Sequence, residues 1–214
     1  MGPPPSDDCR DEYVYQPGHF PHTAGYLWPT VFAELDRLVL PAKRRRAFEV
    51  GCGNGVLSHE LGRRGWAVTG IDPSQSGVGE ARKGGPGEFQ VASAYDDLPG
   101  RFGTFPVVVS LEVVEHVYDP RKYARTVYSL LEPGGVAVIS TPYHGYWKNL
   151  AIALCGKFDS HHTALWDHGH IKFWSIATLT QLLTEVGFEV LRFHRVGRMA
   201  ILAKSMIAVA RRPE

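Results

Sequence analysis

From Ala47 onward the chain alternates short apolar runs with helical patterns, and that alternation leaves few folds open. "AFEVG", "WAVTGID", "EFQVAS", "FPVVVSLE" and "VAVISTP" read as strands, most of them near-continuously apolar. Between them lie "NGVLSHELGRRG", a helix closed by Gly65, and "QSGVGEARKGG", a weaker helix. "DPRKYARTVYSLLEPGG" is a third, with Asp119 as N-cap, Pro120 at its first position and a Pro-Gly-Gly stop. Strands apolar on both faces, alternating with helices, form a parallel sheet covered on both sides. A helix, "SIATLTQLLTEVGF", opened by Ser175 and ended by Gly187, then precedes two last strands, "FEVLRFHRVG" and "AKSMIAVARR".

Upstream, "AGYLWPTVFAELDRLVL" (24–40) carries Val31, Leu35, Leu38 and Val39 at helical spacing, with Pro29 expected near the first turn. Residues 1–22, proline-rich and acidic at the start, read as a flexible arm without a signal peptide. Residues 23–214 read as one domain, interrupted at 143–174 by an aromatic- and histidine-rich insertion.

The chain has 214 residues, 44% of them apolar, enough for one core. Its 23 basic and 22 acidic side chains give a formal charge of +1, unlike the basic surplus of a nucleic-acid binder. Cys9, Cys52 and Cys155 lie far apart, with neither a metal-type spacing nor a disulfide framework. A cytoplasmic location is expected, and no apolar run is long enough to span a membrane. Nothing in the sequence fixes an oligomeric state.

The glycine turn in "FEVGCGNGVL" joins the first strand to its helix. Backbone N–H groups and a helix dipole face outward at such a turn, which makes it a cradle for an anion or a cofactor. Its spacing is Gly51-x-Gly53-x-Gly55, whereas the dinucleotide fingerprint needs Gly-x-Gly-x-x-Gly. Asp72 ends the second strand about twenty residues on, where a carboxylate can accept both hydroxyls of a ribose. Glu49 precedes the turn and would repel a pyrophosphate but attract an ammonium or sulfonium group. A nicotinamide cofactor is thereby disfavoured, and a ribose-bearing cation, S-adenosylmethionine, is favoured.

"FEVGCGNG", "GIDPS", "SLEVVEHVYDP", "LLEPGGVAVISTP" and "LLTEVGFEV", in this order, resemble class I S-adenosylmethionine-dependent methyltransferases, most of all the ubiquinone-biosynthesis O-methyltransferase branch. The resemblance implies a Rossmann-like α/β fold: seven strands in the order 3-2-1-4-5-7-6, strand 7 antiparallel, helices on both faces. It implies that Glu49, Gly51 and Gly53 line the methionine end of the cofactor. Asp72 would bind the ribose, with Pro73 beside the adenine. Ser93 stands where relatives often carry an acid for the adenine amino group, so the backbone of Ala94 and Tyr95, or Asp96, would take over. Ser110, Leu111 and Glu112 would close over the methionine moiety, and Tyr26 would cover the cofactor. The product would be S-adenosylhomocysteine.

Methyl transfer to oxygen or nitrogen needs an aligned nucleophile and a proton acceptor. "EVVEHV" puts His116 just past a strand end, as the candidate general base. Glu112, Glu115 and His116 also form an oxygen–nitrogen ligand set for a divalent metal. In the insertion, Tyr143, His144, Trp147, Trp166, His168 and His170 are candidate contacts for a small-molecule acceptor, a phenol-like oxygen being the leading choice. Nitrogen and carbon acceptors, and a non-catalytic cofactor-binding role, stay open. A nucleic-acid substrate is disfavoured, because no Asn-Pro-Pro-Tyr follows the fourth strand. "GYWKNLAIALCGKF" reads as a lid helix that could also make peripheral membrane contact.

Overall fold

The structure, a computed structural model, describes Tyr15, residues 20–167 and residues 169–214. The proposed arm, apart from Tyr15 and residues 20–22, and the candidate acceptor contact His168 lie outside the described residues. The chain order is α1 (Ala24–Asp36), β1 (Arg46–Val50), α2 (Val56–Arg63), β2 (Ala67–Asp72), α3 (Gln75–Gly84) and β3 (Glu88–Val91). It continues with α4 (Leu98–Phe102), β4 (Phe105–Leu111), α5 (Pro120–Leu130) and β5 (Leu131–Pro142). The insertion supplies α6 (Tyr146–Leu154) and α7 (Phe158–His162), and α8 (Ile176–Val186), β6 (Glu189–Val196) and β7 (Ser205–Arg211) complete the fold.

The sheet order is β3-β2-β1-β4-β5-β7-β6. β1 to β5 pair in parallel, and β7 runs antiparallel to both of its neighbours. Successive side chains of a strand point to opposite faces, which sorts the core into two layers. Phe48 and Val50 of β1 and Val108 of β4 pack with Tyr123 and Val127 of α5 and Leu179 and Leu183 of α8. Ala47, Val107 and Val109 point the other way, toward Leu27, Val31 and Leu35 of α1 and Leu57 and Leu61 of α2. Glu49 follows Ala47 onto that second face, which delivers its carboxylate to α2.

Local chemistry explains most boundaries. Asp119 caps α5 by accepting from Lys122 N, with Pro120 behind it. Ser175 and Thr178 form a reciprocal capping box on α8, and Gly187 ends it at φ +107°. Two expectations need correction. The helix does not reach Leu40: it stops at Asp36, and Val39 is fully exposed. Pro41 disfavours helical geometry in the residue before it, so the chain has already turned out by then. Pro29 sits inside α1 rather than in its first turn. It is tolerated although its ring removes an interior N–H donor. α1 is held instead by packing and by buried Glu34, whose carboxylate accepts from Arg192 (2.6 Å) and contacts His194 (2.9 Å) on β6.

Candidate active site

The strand order reverses direction between β1 and β4, and open α/β sheets bind ligands at such a switch point, outside the carboxyl ends of the strands. The glycine turn lies there. Gly51, Gly53 and Gly55 all have positive φ, at 80°, 51° and 76°. A side chain on Gly51 would collide with Val113, from the loop after β4. Gly53 N donates to Asp72 Oδ2 at 2.9 Å, and Ser74 N donates to Oδ1 at 2.9 Å. Asp72 therefore clamps the turn to the end of β2.

Glu49 is buried and accepts from Ser58 Oγ at the start of α2. Burial, with the charge of Asp72 nearby, pushes its carboxyl up to about 8. Cys52, inside the turn, is buried as well; burial and then the charges of Glu49 and Asp72 push its thiol up. That keeps it protonated, as a small filler against Gly70.

Tyr15 was not expected here. Its N donates to Ser76 Oγ at 3.1 Å, and its ring lies across the turn. A Cβ on Gly53 would come within 2.6 Å of the Tyr15 hydroxyl, and one on Gly77 within 2.8 Å of its ring. A glycine pair facing an aromatic is visible only once the turn is folded.

The other candidates divide. Pro73 is exposed at the end of β2. Ser93, Ala94 and Tyr95 are half-buried in the loop after β3, where Ser93 Oγ accepts from Tyr95 N and Ser93 N donates to Asp96. Tyr95 reaches across to accept from Asp119 N at 2.9 Å. Ser110 is fully buried and donates to Val50 O at 3.0 Å, so its hydroxyl ties β4 to β1 beneath the crevice. Leu111 is half-buried beside it. Tyr26 meets Ser205 Oγ at 3.4 Å, and burial raises its phenol, helped by the charges of Glu112 and Glu115.

Glu112 and Glu115 part company. Glu112 has φ +55°, a rare backbone state for a residue with a Cβ. Its carboxylate accepts from Ser140 Oγ at 2.8 Å and lies 3.4 Å from Ser205 Oγ. Burial holds it up to about 7. Glu115 instead meets His116 and His170: the three ligand atoms lie within 4.8 Å of one another. Glu115 Oε1 is 3.9 Å from His116 Nε2 and 4.0 Å from His170 Nε2. Glu115 is fully buried, neither carboxylate oxygen has a hydrogen-bond partner, and burial and then Glu112 drive its carboxyl well up.

His170 arrives because Ile171 N and Lys172 N both donate to the Glu115 carbonyl at 2.9 Å. His116 Nδ1 sits 3.2 Å from Gly169 O. A carbonyl only accepts, so Nδ1 carries the proton and Nε2 carries the lone pair in the neutral ring. Nε2 is the atom that faces Glu115.

Among the acceptor candidates, Trp166 packs on His170 and His116, at 5.3 and 6.2 Å between ring centres. Tyr143 bridges to Trp174, whose Nε1 donates to Val114 O, so Trp174 belongs to the core. His144 is buried and lines a cavity of about 200 Å³ with His170 and half-exposed Phe173. Trp147 does not line it: its ring leans on Tyr146, and both are exposed on α6. Among the described residues no helix is long and apolar enough to cross a membrane.

The methyltransferase domain family matches residues 24–192. The chain belongs to that family. A ubiquinone biosynthesis O-methyltransferase of Caulobacter sp. (strain K31) is 36% identical over 121 residues, 54% of this chain and 48% of that one. The chain thus spans about half the length of the first curated relatives it matches. An S-adenosylmethionine dependent methyltransferase from Mesorhizobium loti superposes with a TM-score of 0.66 at 21% identity, covering 86% of this chain and 97% of its own. Magnesium protoporphyrin IX methyltransferase from Synechocystis PCC 6803, with bound SAH, superposes at 0.64 and 20% identity, covering 86% and 81%. At these identities the two structures support the fold, which matches the expected order with strand 7 antiparallel.

Proposed function

We propose that this chain is a cytoplasmic enzyme that transfers a methyl group from S-adenosylmethionine to an oxygen of a small, phenol-like acceptor. The observation that carries the reading is the glycine turn clamped to Asp72 at the β1/β4 switch point. The residues present fit the cofactor: a side-chain-free turn, the Asp72 carboxylate at the end of β2, and a second carboxylate, Glu49, behind the turn. S-adenosylmethionine supplies a methyl group activated on a sulfonium. Asp72 would hold the ribose, the Gly51–Gly53 backbone and Glu49 the methionine end, and Tyr15 would close over the turn. His116 Nε2 would take the acceptor's proton. The buried, unpaired Glu115 carboxylate with two imidazoles also fits a divalent cation, held by Glu115, His116 and His170, which would polarise an acceptor hydroxyl.

The test is calorimetric titration with S-adenosylhomocysteine, with and without EDTA and added magnesium. Binding in the micromolar range or tighter is expected, and its absence overturns the reading. EDTA that abolishes turnover but not S-adenosylhomocysteine binding assigns any metal to the acceptor side.

Glu49 gives that titration a pH dependence. Its raised carboxyl is mostly neutral at pH 7, whereas the cofactor's ammonium favours the ionised form. Binding must then release a proton, and affinity should rise with pH up to about 8 and level off. Glu49→Gln should flatten that rise. Titrations in two buffers of different ionisation enthalpy count the proton directly.

A further inference from the structure

A cavity of about 200 Å³ beside the insertion carries three basic side chains and four histidines in its wall. Lys148 of α6, and Arg198 and Lys204 from the turn between β6 and β7, line it with His144, His161 and His162, and among the described residues no carboxylate does. Lys148 is 8% exposed, yet its ammonium sits over two backbone carbonyls, Tyr143 O at 2.7 Å and Lys204 O at 3.2 Å. An ammonium has three N–H donors, so one is left over. His144 Nδ1 is buried in the same wall without a hydrogen-bond partner.

A buried cation without a close counter-charge is costly. The acid that acts on Lys148 is Glu112, which is already engaged with Ser140 and Ser205. Burial and Arg198 bring Lys148 down to about 8. Burial and then Lys148 bring His144 down to about 4, and His161 is lowered by the same two causes in the same order. A single anion placed among these groups would give Lys148 a counter-charge and favour the protonated form of His144 and His161.

We propose that this cavity is the subsite for an anionic group, a carboxylate or a phosphate monoester, carried by the methyl acceptor. The proposal rests on the methyl-transfer reading and names its substrate class. Lys148 forms the floor, while exposed Arg198 and Lys204 form the mouth. His170 belongs both to this wall and to the Glu115–His116–His170 cluster. An acceptor anchored here by its anion therefore extends its reactive hydroxyl toward His116 Nε2.

The experiment compares two probes that differ by one carboxylate, catechol and 3,4-dihydroxybenzoate, by calorimetry on the full chain saturated with S-adenosylhomocysteine. Inorganic phosphate serves as competitor. Dihydroxybenzoate should bind about tenfold tighter than catechol, as expected for a charge-assisted contact. Phosphate should displace it, and Arg198→Gln or Lys204→Gln should collapse the preference. Both positions are exposed, so the variants should fold, which an unchanged S-adenosylhomocysteine affinity verifies. Equal binding of the two probes by the unaltered protein overturns the subsite. Phosphate binding that dihydroxybenzoate does not compete with also overturns it, and points to a free-phosphate site instead. Failure of S-adenosylhomocysteine to bind, with the probe preference intact in its absence, fails the cofactor reading and leaves the anion subsite standing.

Discussion

Replacing Asp72 by Ala is expected to weaken S-adenosylhomocysteine binding by about 10²- to 10⁴-fold. The estimate comes from two hydrogen bonds between a carboxylate and ribose hydroxyls, at about 1.5–3 kcal/mol each. Asp72 has a second duty, because Gly53 N and Ser74 N both donate to it. The Ala variant therefore also releases the turn from β2. Asp72→Asn separates the two roles only in part: its one amide oxygen can accept from Gly53 N or Ser74 N but its NH2 cannot accept from the other, and the charge that favours the ribose is gone. The Asn variant should melt between the Ala variant and the parent protein and still lose at least tenfold in affinity. Parent-like affinity in both variants would sink the ribose assignment.

The fold was legible because its signals are local. Apolar runs, Asp119 with Pro120, and Ser175 with Gly187 each set a boundary within a few residues of themselves. Glu49 was legible for the same reason: it alternates with Phe48 and Val50, so it must leave the face they occupy. The end of α1 was not, because the apolar spacing through Val39 outlasts the helix that Pro41 cuts short.

The site was only half legible. Glu112 and Glu115 look like partners in sequence, but the positive φ at Glu112 turns one carboxylate toward β5 and β7 and leaves the other facing His170. No spacing rule reports a backbone inversion at one residue. Arg198 and Lys204 meet Lys148 from about fifty residues away, because β7 returns antiparallel beside β5 and brings its preceding turn under α6. Tyr15 reaches the glycine turn from a segment whose own sequence carries no periodic signal. These contacts come from topology, and topology is set by the sheet as a whole.

His116→Ala should lower turnover by about 10²- to 10⁴-fold, the usual worth of a general base, while moving the acceptor KM much less. The tautomer is the reason. Gly169 O holds the proton on Nδ1, so Nε2 is the atom able to accept one. Loss of a base should also remove the acidic limb of the turnover–pH profile, which a merely structural role would leave in place. The rival role, as a metal ligand beside Glu115 and His170, makes a different pattern. Three ligands of one cation should fail alike, so Glu115→Gln and His170→Ala would match His116→Ala, and EDTA would reproduce all three in the parent enzyme. A base acting alone predicts that EDTA does nothing and that His170→Ala costs far less than His116→Ala. Full turnover in His116→Ala would remove the residue from both roles and return the proton to the acceptor or to water.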